Sequence, residues 1–385
     1  MIMMRKEIKT AVIGAIIIIV AIGGISAFFT SLDKTVQNQG SGIIVDKQKN
    51  LVNNTSPISA SNSYSDENNF PKAPDLVGIA GFINTTPTEL KSKIKDSVVL
   101  YDFWTYSCIN CIRTFPVLKA WNEKYADKGL LIIGIHSPEF EFEKDPNNVK
   151  MAVQKYGLTY PIVLDNDHAT WNAFSNRYWP AEYITDDLGH IRHTHFGEGE
   201  YDQTEKVIQQ LLDQRSKRLG LNITANNSIV NFEEHEFSFT QTPELYFGYN
   251  FAQGREYLGN SEGFQPERIV TYNIPPNLQN DHFYLEGQWQ NLQDSMKLMS
   301  EKGKIVLPYS AKDVNIVASG NGEIVQILLD NKTVTNDDSG QDLKNGTVNV
   351  VEHRLYNIIS SKHQGSHTIT IIGHPGFQIY TFTFG

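Results

Sequence analysis

Two β-branched and aromatic runs, VVLYDFW at 98–104 and LLIIGIHS at 130–137, enclose a stretch in which Ile112, Phe115, Leu118, Trp121 and Tyr125 recur at spacings of three and four. Runs apolar at nearly every position suit strands covered on both faces, and the three-and-four spacing lays one stripe of a helix over them. Strand, helix and strand in that order form a crossover unit, which requires a mostly parallel sheet flanked by helices. The pattern extends both ways. A short strand at 81–84 and a helix over 88–95 come before it; a helix over 148–156, the strand PIVLD at 161–165 and a helix over 169–175 come after. AEYIT and HIRHTHF then flank a turn of Asp186, Asp187 and Gly189, and a final helix is expected from Thr204 to about Lys217.

The chain has 385 residues, more than one core of this kind requires. From about Phe232, short runs such as HFYLEG, KIVLP, VNIVAS, GEIVQILLD, TVNVVE, HTITII and FQIYTFTF alternate with Gly, Asn and Asp turns, the pattern of an all-β sandwich. Near the N-terminus, positions 11–29 hold 19 uncharged residues. As a helix they span roughly 28 Å, close to the thickness of a bilayer core. Arg5, Lys6 and Lys9 precede this run and Lys34 is the first basic residue after it, so the N-terminus is expected in the cytoplasm and the rest outside. A cleaved signal peptide would have a shorter apolar region and a small-x-small site, where this run ends in Ala27, Phe28 and Phe29. The following residues, rich in Asn, Ser, Lys and Asp, read as a flexible stem. The expected division is a basic stub and transmembrane anchor at 1–30, a stem at 31–73, an α/β domain at 74–220 and a β-sandwich binding module at 232–385. A formal charge of −10 gives no electrostatic reason to bind nucleic acid.

Two cysteines occur, Cys108 and Cys111. They build no disulfide framework, and a bridge between them is chemistry rather than a staple. A C-x-x-C pair just after a buried strand sets the first cysteine at the exposed first turn of the helix, where unpaired N–H groups and the positive helix end favour a thiolate. Lowering a thiol pKa from about 8.5 to near 7 takes roughly 2 kcal/mol, within reach of such a terminus. Cys111, one turn inward, would resolve the mixed disulfide formed by Cys108. A zinc half-site would need two further soft or imidazole ligands, and the chain has no second cysteine pair.

These residues resemble the thioredoxin superfamily: Asp102, Phe103 and Trp104 ahead of the pair, and Pro116 five positions after Cys111, in a match covering about 76–215. The extra helix and strand between 148 and 165 is similar to the insertion of the membrane-anchored TlpA and ResA branch. WTYSCINCIRTFP, HSPEFEFEKD, YPIVLDND, YWPAEYI and HIRHTHFGEGEY look like the extracytoplasmic part of DipZ-type proteins. The resemblance implies a thioredoxin-like α/β fold with a βα insertion and a thiol-disulfide oxidoreductase with neither cofactor nor metal; the reductase direction is favoured over the oxidase one, which the sequence leaves open. It marks Pro180 as the cis-proline facing the cysteine pair, Asp102 as the buried proton acceptor for Cys111, Trp104 as a shield of the disulfide, and Glu139 as a second acid at the mouth of the neighbouring strand. Ile109 and Asn110 stand where thioredoxins carry Gly-Pro, which leaves the potential open. DipZ-type proteins carry a multi-span electron-transfer domain; one span here implies a separate membrane electron-transfer protein, with protein disulfides or dithiols as clients.

The C-terminal region, with TPELYFGY and the terminal FTFG, resembles a carbohydrate-binding-module jelly roll. That implies a ligand-binding module, for a glycan or a peptide; Tyr246, Phe247, Tyr249 and Trp289 are candidates to stack on such a ligand or, as aromatics in strands more often do, to build the core. The module is expected to act apart from the sulfur chemistry, so that a fragment ending near Gly220 keeps generic activity. Two other readings use the same cysteines. Thr105 and Cys108 form the T-x-x-C of thiol peroxidases, although Tyr101 stands where peroxiredoxins carry proline. Sco-type copper chaperones pair two cysteines with a distant histidine, and His193 and His195 follow Cys108 here, although those cysteines are spaced C-x-x-x-C.

Overall fold

The computed structural model describes residues 70–221, 228–232, 242–252, 255 and 257–385. The expected membrane anchor and all but the end of the stem lie outside the described residues. Among the described residues no helix is long and apolar enough to cross a membrane. The last stem residues are strapped to the α/β domain: Ile191 N–H donates to Pro71 O at 2.8 Å and Ala73 N–H to Gly189 O at 2.9 Å.

The first domain runs β1 (Gly81–Ile83), α1 (Pro87–Ile94), β2 (Val98–Trp104), α2 (Ile109–Tyr125), β3 (Leu130–His136), α3 (Pro146–Tyr156), β4 (Ile162–Leu164), α4 (Ala169–Ala173), β5 (Ala181–Thr185), β6 (Ile191–Phe196) and α5 (Tyr201–Arg218). The strands are ordered β1-β4-β3-β2-β5-β6. β2, β3 and β4 are parallel, β5 and β6 form the expected antiparallel pair, and β1 joins β4 antiparallel. Local signals set the ends of elements. Thr86 caps α1 by accepting from Glu89 N–H at 3.3 Å with Pro87 in the first turn, and Gly157 ends α3 at a φ of 65°.

Strand alternation divides the core into two layers. Val98, Leu100 and Trp104 of β2 enter one cluster with Cys111, Phe115, Leu118 and Trp121 of α2 and Ile208 of α5. Val99, Tyr101 and Phe103 enter the other, under Leu90 of α1, Trp171 of α4 and Phe174. Every residue of β2 and β3 is buried, as their unbroken apolar runs require.

The C-terminal region is all β, from β7 (Leu245–Tyr246) to β16 (Gln378–Phe384). Its strands belong to one hydrogen-bonded network. KIVLP and VNIVAS, read above as separate runs, lie in one strand, β11 (Gly303–Ser319), which pairs with the still longer β15 (Arg354–Gly373) through irregularities of register between Ala311 and Asn315. Such bulges bend a strand without ending it. The first half of β11 also pairs with β9 (Tyr284–Asn291) and its second half with β16, while β10 (Met296–Leu298) links β9 to β16.

Residues 67–385 form one compact unit. Phe140 from the α/β domain packs with Tyr246, Val317, Leu355 and Tyr380 of the β domain, and Ile109, Ile112, Phe142 and Phe251 close around them. Ile109 stands between the two cysteines, so the β domain covers the start of α2. This corrects the expectation of a module held apart from the sulfur chemistry: apolar side chains of both domains pack in one cluster around Phe140. Three of the aromatic candidates take the core role that strand aromatics more often have: Phe247 and Trp289 are fully buried in the β core and Tyr246 is buried in the interdomain cluster; Tyr249 is half-buried and donates its hydroxyl to Glu267 at 2.8 Å.

Candidate active site

β2 delivers the chain to Thr105, Tyr106 and Ser107, all buried, and α2 begins at Ile109 with Cys108 as its N-cap. The Cys108 sulfur accepts from Cys111 N–H at 3.2 Å, filling the place a capping oxygen takes in other helices. Both cysteines are free thiols; Cys108 is half-buried and Cys111 fully buried. Burial is the largest influence on Cys108 and pushes its thiol up, with the Glu244 and Glu139 carboxylates adding to the rise; hydrogen bonds from the Cys111 thiol and N–H act the other way. The expected lowering by the helix terminus is therefore outweighed. Burial drives Cys111 well above its ordinary value, with Cys108 and the Asp102 carboxylate adding to it.

A buried carboxylate that the sequence reading missed holds this loop. Glu143 is inaccessible to solvent and accepts from Ser107 Oγ at 2.6 Å, Ser107 N–H at 3.2 Å, Glu139 N–H at 2.6 Å and Phe140 N–H at 3.0 Å. One side chain thus ties the residue before Cys108 to the segment that follows β3. Glu139 sits there, half-buried, with Oε1 in hydrogen-bond contact with Tyr246 Oη at 2.6 Å across the domain boundary. Burial, the Glu244 carboxylate and the Glu143 carboxylate raise its carboxyl to about 8, against the Tyr246 hydrogen bond and Arg255. Glu143 carries little signal in the sequence: it is one of several carboxylates in the segment between the strand at 130–137 and the helix at 148–156.

Beneath the pair, Asp102 is fully buried on the face of β2 that carries Leu100 and Trp104, the α2 side. Burial raises its carboxyl to about 7, and neither oxygen has a hydrogen-bond partner. Glu182 stands opposite it in β5, is also buried, and is raised to about 8 by burial and by Asp102. It escaped the sequence reading because alternation alone does not reveal which strand will lie beside which. Trp104 is fully buried and meets Phe115 edge-on at 5.2 Å. Its indole needs the missing side chain of Gly134, where an added Cβ would come within 2.8 Å of Trp104 Nε1 and 2.5 Å of Ile162 Cδ1. The Trp179–Pro180 peptide is cis and leads directly into β5. A cavity of about 320 Å³ adjoins the active-site loop, lined by Tyr106, Asn148, Met151 and Tyr156 from one domain and His353 and Arg354 from the other.

With this geometry in place, comparison with known proteins is informative. The AhpC/TSA family matches residues 72–194 and the "thioredoxin like C-terminal domain" family matches residues 242–385. The chain is 36% identical to the protein DipZ of Mycobacterium tuberculosis over 81% of its own length and 43% of DipZ. It is 32% identical to the thiol-disulfide oxidoreductase YkuV of Bacillus subtilis over 36% of its own length and 93% of YkuV. The chain belongs to the thioredoxin-like thiol-disulfide oxidoreductases. It spans less than half the length of the DipZ proteins it matches.

Within this thioredoxin-like framework His193 and His195 lie on β6. His193 Nε2 is 3.4 Å from Thr204 Oγ1, and His195 Nδ1 is 3.7 Å from Glu200. Among the described residues no group of three or more His, Cys, Asp and Glu side chains could hold a metal ion. The thiolate and imidazole set that a copper chaperone needs is therefore not brought together.

The raised carboxyls give this thioredoxin-like domain a pH-dependent stability of definite sign. Asp102 binds its proton more tightly in the folded chain than at its ordinary value of 3.8, so folding is favoured at low pH and loses that contribution as pH rises through about 7. At about 1.4 kcal/mol per pH unit, the loss attributable to Asp102 is about 4 kcal/mol between pH 4 and pH 8. Denaturant unfolding across this range is expected to show stability falling with pH, and Asp102→Asn is expected to flatten the slope. Parallel curves for the two proteins would show that the carboxyl titrates alike in the folded and unfolded chain.

Proposed function

We propose that the protein is a membrane-anchored, extracytoplasmic thiol-disulfide oxidoreductase, held by the 11–29 segment with its N-terminus in the cytoplasm. It acts on protein disulfides in the reductase direction. The observation that carries this reading is the asymmetry of the cysteine pair: a half-buried sulfur capping a helix and accepting an N–H bond, over a fully buried partner. A sulfur in the first position can reach a client; one in the second can reach only the first.

In the forward cycle the Cys108 thiolate attacks one client sulfur, forming a mixed disulfide and expelling the other client sulfur as a thiolate. Asp102 takes the proton of Cys111, whose thiolate then attacks Cys108 and releases the second client sulfur. Two protons pass to the client as two electrons leave the pair. Pro180, at the entrance to β5, borders the surface where a client strand would lie, and a separate membrane electron-transfer protein would return the pair to the dithiol. The β domain orients the client, as a jelly-roll-like module binding a glycan or peptide would.

The test is alkylation of the reduced protein with limiting iodoacetamide at neutral pH, followed by peptide mapping, together with a redox titration. Cys108 is expected to be labelled at least tenfold faster than Cys111, and the pair to titrate as a two-electron couple more reducing than typical oxidases. Equal labelling would remove the basis for assigning nucleophile and resolver; a strongly oxidising couple would reverse the direction.

A further inference from the structure

The hydroxyl of Tyr246, on β7 of the β domain, lies 2.6 Å from Glu139 Oε1 and 2.9 Å from Glu244 Oε2. Both are hydrogen-bond distances, yet a phenol has one proton to give. Tyr246 keeps that proton, because burial and the two flanking carboxyls hold its pKa far above the ordinary value. It donates to one carboxyl; the second contact joins two oxygens and needs a proton on the other carboxyl, which then donates back to the phenol. The trio therefore carries one proton more than a tyrosine beside two carboxylates. Glu143 favours this state with negative charge from the adjoining segment, and Arg255, its guanidinium 5.0 Å from the Tyr246 ring, acts against it. Phe251 stacks on the same ring at 5.2 Å, fixing its plane.

The trio acts electrostatically on the reacting sulfur. Glu143 binds Ser107 and Glu139 at once, which sets Glu139 next to the residue preceding Cys108, and both the Glu139 and the Glu244 charges act on the Cys108 thiol.

We propose that Glu139, Tyr246 and Glu244 form a shared proton store, completed by the β domain, that protonates the thiolate expelled when Cys108 attacks a client disulfide. This rests on the reading of Cys108 as nucleophile. In that step the Cys108–client S–S bond forms, the client S–S bond breaks, and the stored proton moves to the departing sulfur, leaving both carboxyls ionised until solvent restores the proton. Glu139, whose main-chain N–H shares the Glu143 carboxylate with Ser107, is the donor. Tyr246 and Glu244 are positioning residues that keep Glu139 protonated in the neutral range. A thiol-disulfide enzyme so equipped is suited to alkyl disulfides of protein clients, whose leaving thiolates are basic and gain most from a proton.

The test compares leaving groups in single-turnover reactions of the reduced full chain. Dithiobis(nitrobenzoate) expels an aryl thiolate that is stable unprotonated; bis(2-hydroxyethyl) disulfide expels a basic alkyl thiolate. Glu244→Gln, at an exposed position, and Tyr246→Phe, which keeps the ring in its cluster, are expected to slow the alkyl disulfide about tenfold at pH 7 and leave the aryl disulfide within twofold. With the alkyl disulfide, the wild-type rate is expected to turn down on the alkaline side as the store empties, and the variants to lack that step. Equal slowing of both disulfides, or of neither, would overturn the inference. Failure of the wild-type protein to react with either through Cys108 would instead overturn the reading on which it rests.

Discussion

Cys108→Ser is expected to bring disulfide reduction down to the uncatalysed background, measured as insulin precipitation or as loss of a client disulfide. A serine hydroxyl at a helix N-cap is a good hydrogen-bond acceptor but is not ionised at neutral pH and forms no covalent bond to a sulfur that another thiol can resolve. Cys111→Ser has a different expected outcome. The nucleophile remains half-exposed at the N-cap, so the first attack proceeds. The buried position beneath it then carries no thiol, and the mixed disulfide accumulates until an external thiol releases it. Non-reducing gels should show a client-sized adduct on Cys111→Ser that is absent from Cys108→Ser and from the double variant. Turnover surviving either single change would eliminate the two-cysteine cycle.

The second large effect concerns the junction between the domains. A fragment ending at Leu221 exposes Phe140, which is 1% accessible in the intact chain, along with the faces of Ile109, Ile112 and Phe142 that the β domain covers. At roughly 1.5–3 kcal/mol for each large apolar side chain fully buried, partial loss over four residues costs about 5 kcal/mol. That is a large share of the roughly 5–15 kcal/mol that holds a domain folded. The Phe142 contact with Tyr380 at 4.6 Å and the Tyr246 bond to Glu139 go with it. The fragment is expected to unfold at much lower denaturant than residues 70–385, to bind a hydrophobic dye, and to lose most generic reductase activity. A fragment that stays monomeric, equally stable and fully active would show that the interdomain cluster contributes neither to folding nor to the site.

The element sequence of the first domain was legible because its signals are local. An unbroken apolar run is buried on both faces wherever it goes, and VVLYDFW and LLIIGIHS became adjacent parallel strands for that reason. The cysteine pair was legible because a strand followed by a helix leaves little choice about where Cys108 and Cys111 point. The β domain was harder to read. Alternating runs announce strands but not their lengths or neighbours, so a bulged strand such as β11 looks like two.

Local sequence settled the α/β layering, the position of the cysteine pair at a helix start, and Asp102 as a carboxyl within a buried strand. Each follows from residues close together in the chain. The electrostatics of the site came instead from long-range packing. Glu182 became a neighbour of Asp102 through the pairing of β2 with β5, Glu143 became the anchor of the loop at Ser107, and Glu244 and Tyr246 arrived at Glu139 from more than 100 residues away. The balance at Cys108 turned on the same fact. A helix terminus favours a thiolate by an amount that local sequence suggests, but burial under a second domain and the charges brought by that domain depend on packing across the whole chain.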